Sequence, residues 1–159
     1  MIQKRTDPTD LYPDPALQRI EHWRRHGEPK DKLDLSRLQL TSLPPELFDL
    51  APRLACLDLC HNRLTALPPE IERLTSLMLL FLDHNQIQTF PPEFNRLTSL
   101  IVLSTCGNPL IEQPRVPPGC IIFCDPDPSE DQPELGGSLK IQFFGSDPDP
   151  FDDQPEPTE

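Results

Sequence analysis

Five residues whose side chains could do chemistry share one spacing. Cys60-His61, Asp83-His84 and Cys106 stand 23 residues apart. Thiolate, imidazole and carboxylate are donors that hold zinc. A Cys, a His and an Asp are also the parts of an activated thiol nucleophile. The spacing is not that of a zinc finger or ribbon, and neighbouring positions such as Cys60 and His61 need not point the same way. A nucleophile needs a cleft and oxyanion donors, which a short repeat does not offer. Cys120-x3-Cys124 misses the CxxC spacing of redox and zinc sites. The reading that asks least of these residues is a solvated recognition surface.

Their common spacing comes from the elements that carry them. LPPE begins at Leu43 and Leu67 and FPPE at Phe90, 24 and 23 residues apart. A period in this range marks a solenoid. One unit runs Leu54, Leu57, Leu59, Asn62, Leu64, Leu67, Pro68, Ile71, Leu74. The next runs Leu77, Leu80, Leu82, Asn85, Ile87, Phe90, Pro91, Phe94, Leu97. The first has Leu38 in the Asn position, and the last stops at Leu110. In Leu57-Asp58-Leu59 and Leu80-Phe81-Leu82 the alternation has period two, a short strand with one face buried. The paired prolines after it cannot donate to a ladder, so they end the strand and set an extended return path. Asn62, Asn85 and Asn108 face inward, where an amide can satisfy backbone groups left over by the turn. Three repeats are near the minimum for such a stack, so caps matter.

The units resemble the leucine-rich repeat family, in its intracellular LPxxI form as in plant Ras-group and bacterial repeat proteins, over residues 30–111. The resemblance implies an α/β solenoid: parallel strands on a concave face, irregular or short helical convex arcs, an N-terminal capping helix and a disordered acidic tail. It also implies a non-catalytic module that binds a partner protein. Bacterial effector ligases join such repeats to a large helical catalytic domain, and the roughly 48 residues after the last repeat leave no room for one. An effector-type module acting by binding a host protein is a further reading of the same features.

Strand alternation assigns the binding surface. Columns read Lys32, Cys56, Leu79, Val102, then Asp34, Asp58, Phe81, Ser104, then Ser36, Cys60, Asp83, Cys106, and last Arg37, His61, His84, Gly107. Leu79, Phe81 and Val102 are therefore expected to be apolar, outward and adjacent, ringed by Asp58, Asp83, His61 and His84. An apolar patch with a polar rim is the usual form of a protein-binding site, and Phe81 is its aromatic anchor. The competing expectation is that the tail, or a strand at 139–144, covers the patch in cis.

Outside the repeats the chain divides into a flexible 1–13, a capping helix within 14–29, a C-terminal cap at 112–124 and an acidic tail at 125–159. Asp14-Pro15 opens the helix, Leu17, Ile20 and Trp23 form its stripe, and Gly27 is its C-cap. Residues 125–159 hold eleven Asp or Glu and one Lys, −10 of the chain's −12. A segment from Asp125 recurs from Asp147, each after a short apolar run, and such proline-rich acid is expected to stay disordered. It lacks the Gly of a calcium loop; Asp149-Pro150-Phe151 resembles the tripeptide that docks on clathrin adaptor ears. The acidic balance argues against nucleic acid or membrane as partners. No apolar signal region or membrane span is visible, and five Cys suit a reducing cytoplasm. The expectation is a cytoplasmic monomer without cofactor or metal.

Overall fold

The structure, a computed structural model, describes residues 14–124 and the strand 140–143. Residues 1–13, the acidic repeats at 125–135 and 147–159, and Asp149-Pro150-Phe151 lie outside the described residues.

Asp14 opens helix α1 (Pro15–His26), its carboxylate accepting the Ala16 N–H at 2.8 Å. The buried stripe is Ala16, Ile20 and Trp23, one step off the expected one, with Leu17 only partly covered. Gly27 does end the helix, donating to the Trp23 carbonyl at 2.7 Å. Its φ is −74°, so it is not the left-handed cap glycine usually supplies. Space is what this position demands: a Cβ on Gly27 would sit 2.6 Å from the Trp23 ring and carbonyl.

Strands β1 (Lys32–Asp34), β2 (Cys56–Asp58), β3 (Leu79–Phe81) and β4 (Val102–Ser104) form a parallel sheet with Lys32, Cys56, Leu79 and Val102 in register. The central residues Leu33, Leu57, Leu80 and Leu103 point into the core and are buried. Behind them run three 3-10 helices, Pro45–Leu50, Pro69–Arg73 and Pro92–Arg96. The prolines divide the work. Pro44, Pro68 and Pro91 are extended, whereas the second of each pair starts a helical turn, where its missing N–H is no loss. Leu47, Ile71 and Phe94 fill the core from that side.

The asparagines bind one repeat to the next. Asn85 Nδ2 donates to the Leu59 and Leu82 carbonyls at 2.9 Å each, and its Oδ1 accepts the Leu64 N–H at 3.1 Å. Asn62 and Asn108 repeat the pattern on their own neighbours. Each amide thus satisfies backbone groups that no ladder reaches.

Both edges of the repeat sheet are closed. At β1, Arg19 of α1 donates to the Asp34 carbonyl at 2.9 Å and Trp23 Nε1 to the Asp31 carbonyl at 3.3 Å. At the other end the 112–124 segment does more than cap. It contributes a fifth parallel strand, β5 (Ile121–Cys124), paired Val102 to Ile121 and Ser104 to Phe123. Strand β6 (Lys140–Phe143) then adds antiparallel to β5. It extends the sheet sideways, so the backbone at 140–143 does not lie over the face that it was expected to cover in the competing reading.

Candidate functional site: the open face of the sheet

The 3-10 helices and core leucines occupy one face of the sheet. Among the described elements, none packs over the other face at β2, β3 or β4. The columns there are those of strand alternation, with β5 adding Ile121 and Phe123. Leu79, Phe81 and Val102 are partly exposed and lie on neighbouring strands. Ile121 and Phe123, also partly exposed, continue the same two columns.

Two more apolar residues border the patch. Met78 is 42% exposed and Ile101 43%, each just before its strand. The cause is a local irregularity: the N–H groups of Met78 and Leu79 both donate to the Ala55 carbonyl, and those of Ile101 and Val102 both donate to that of Met78. Two successive residues then oppose one, as in a bulge, and strict alternation does not predict where the extra side chain goes.

The polar neighbours are not equivalent. Asp58 accepts Lys32 Nζ at 2.9 Å and the Cys60 N–H at 3.0 Å. Asp83 accepts the Ser104 hydroxyl at 2.6 Å and the Cys106 N–H at 2.8 Å. Asp34 and Asp58 each hold the N–H two residues on; where Ser104 replaces that Asp, Asp83 reaches across from β3's turn to do the same. Both carboxylates expected in the rim are therefore engaged within the chain. His61 and His84 are exposed and stack on each other, ring centroids 4.5 Å apart and 16° from parallel. With Arg37 and Gly107 they share the left-handed region, φ 55–69°. The His84 ring lies where a Cβ on Gly107 would be, 2.6 Å from its Nδ1, which accounts for glycine at the end of that column.

The proposed metal or nucleophile set does not assemble. Among the described residues, no three His, Cys, Asp or Glu side chains meet around one point. The Cys60 thiol is 3.7 Å from Asp83 Oδ2, while the histidines stack face to face instead of converging on it. Burial, then the Asp58 carboxylate beside it, push the Cys60 thiol up to about 12. At neutral pH it stays protonated, the wrong form for a nucleophile or ligand.

The Lys32–Asp58 pair gives a pH signature. Burial raises the Asp58 carboxyl, but hydrogen bonds from Lys32 and Cys60 outweigh it and leave it below its ordinary 3.8. The Asp58 hydrogen bond lifts Lys32 above 10.5. A depressed carboxyl stabilises above its unfolded value and loses that contribution as pH falls through the folded one; a raised amine does the reverse at the alkaline end. Lys32 is half exposed, so screening holds the contribution to about 1 kcal/mol or less. The urea midpoint is expected to drop as pH falls below 3.8, and Asp58→Asn to flatten part of that drop. An unchanged profile in the variant would show that the pair contributes nothing.

Stacked parallel strands, arcs of 3-10 helix and an asparagine ladder define a short leucine-rich repeat solenoid. A leucine rich repeat family model matches residues 31–87 and 52–110, together just over half the chain, and the chain belongs to that family. Members of the family generally act by binding other proteins. Among solved structures, a leucine-rich repeat protein of Leptospira interrogans matches with a TM-score of 0.51 and 32% identity, over 65% of this chain and 27% of that one. A Shigella effector leucine-rich repeat domain matches with a TM-score of 0.46 and 20% identity, over 74% of this chain and 60% of that one. The chain thus spans only about a quarter of the Leptospira protein and three fifths of the Shigella domain. Comparison with curated proteins found no match. No helix among the described residues is long and apolar enough to cross a membrane.

Proposed function

We propose that the chain is a non-catalytic interaction module that binds a partner protein through the open face of its sheet, with Phe81 as the anchor. One observation carries this reading: Leu79, Phe81 and Val102 form a contiguous, partly exposed apolar row on adjacent strands that no described element covers. Apolar surface left open in this way is stabilised when a partner removes it from water. His61 and His84 flank the row, while Asp58 and Asp83 act through the shape and charge they hold in place.

The test uses substitutions that spare the core. Leu79→Asp and Val102→Asp are expected to abolish capture of the protein that the wild-type chain retains from its own cell extract. Ile111→Asp is the control, since Ile111 is 75% exposed and lies in a turn away from the sheet. If Ile111→Asp loses the partner and the two face variants keep it, binding runs through another surface.

A further inference from the structure

The open face is divided along the strands. At their N-terminal ends, Met78, Leu79, Ile101, Val102 and Ile121 form an apolar stripe from β3 to β5, which Ala55 and Cys56 continue onto β2. At their C-terminal ends the turns carry Arg37, His61, Arg63 and His84, all exposed. The negative charge between the two halves is already matched: Asp58 by Lys32, and Asp83 by hydroxyl and backbone donors. Arg37 and Arg63 make no ion pair among the described residues. The polar flank therefore offers uncompensated positive charge beside an apolar stripe.

We infer that the occupant of this face is an acidic amphipathic helix of about three turns, its apolar side on the stripe and its carboxylates toward Arg37 and Arg63. The inference rests on the reading above and adds the chemistry of the partner. Dimensions support a helix. Three strand spacings of about 4.8 Å make the stripe about 14 Å long, and three residues along β3 make it about 10 Å wide. A helix is about 10 Å across and rises about 14 Å in three turns or slightly fewer. An extended peptide would instead seek a sheet edge. Here α1 closes β1 and β6 closes β5, so an added strand would fall outside β6 and off the stripe. Charge supports acid, since carboxylates meeting Arg can form bidentate pairs.

The test is selection of phage-displayed random peptides of about 16 residues, long enough for four turns, on the full-length chain. Three targets run side by side: wild type, Phe81→Asp, and Arg37→Glu with Arg63→Glu. Arg63→Glu alone serves as a second variant, because Arg37 sits at φ 60° and its replacement could disturb the turn. The expected winners bind wild type and not Phe81→Asp, repeat apolar residues at helical spacing, and carry Asp or Glu. A synthetic winner gains helical circular dichroism on binding, and either charge reversal weakens it at least about tenfold, or 1.4 kcal/mol. Winners that need Phe81 but are basic, extended or indifferent to charge reversal overturn the inference and leave the open face as the binding surface. Winners that bind Phe81→Asp equally well, or no enrichment on wild type, overturn the reading of the face itself. A second copy as occupant would appear in light scattering as a wild-type dimer that Phe81→Asp dissolves, and would also overturn it.

Discussion

Asn85→Ala is expected to remove about 4 kcal/mol of stability, most of what a solenoid this short has. Asn85 is 6% exposed, so water does not replace its amide. Alanine strands the Leu59 and Leu82 carbonyls and the Leu64 N–H, and each buried orphan costs about 1–3 kcal/mol. Small domains have only about 5–15 kcal/mol in total. Because stability in a repeat stack depends on each interface with its neighbours, a break at the central repeat separates both halves. Urea unfolding should show a much lower midpoint with little change in slope. Asn108→Ala should cost less, since Asn108 is nearer the end and only partly buried. A loss below about 1 kcal/mol at Asn85 would mean that the ladder contributes little to holding the repeats together.

Trp23→Ala is expected to cost about 3–5 kcal/mol, the range for a large buried aromatic. Trp23 is 5% exposed and closes the first repeat. Its ring fills the space above Gly27, stacks near the Arg53 guanidinium at 5.6 Å, and donates to the Asp31 carbonyl at the outer edge of β1. Without it that edge and the leucines behind it meet water. Trp23 is the one tryptophan in the chain, so its fluorescence reports the cap directly. The emission should be that of a buried indole and should shift red together with the far-ultraviolet signal in a single urea transition. Emission typical of a water-exposed indole in the native chain, or a separate early transition, would show that α1 is an appendage and not a cap.

The strands, their register and the outward columns were legible because a strand has period two and the repeats align Leu57 with Leu80 and Leu103 without gaps. The inward asparagines were legible because a buried amide must satisfy something. The fifth strand was not. It follows β4 after 19 residues where the others are 23 or 24 apart, and only the run Ile121-Ile122-Phe123 signalled it. Nor was the exposure of Met78 and Ile101, which depends on two N–H groups sharing one carbonyl, a tertiary detail that no local pattern states. The histidine stack depends on a left-handed turn; Gly107 at the end of that column was the available clue, since glycine takes that conformation without steric penalty. The five chemically suggestive residues recur because the repeat does, and recurrence brings side chains into columns without aiming them at one point.

Phe81 offers the most direct measurement of what the face is for. Its neighbours Leu80 and Leu82 point inward and are fully buried, whereas Phe81 points outward, partly exposed, between Asp58 and Ser104. Phe81→Asp should therefore leave the far-ultraviolet spectrum and the melting temperature close to wild type, yet weaken the captured partner by about 2 kcal/mol or more, roughly thirtyfold. If the variant instead unfolds, or if it folds and binds as tightly as wild type, the open face is not the binding surface.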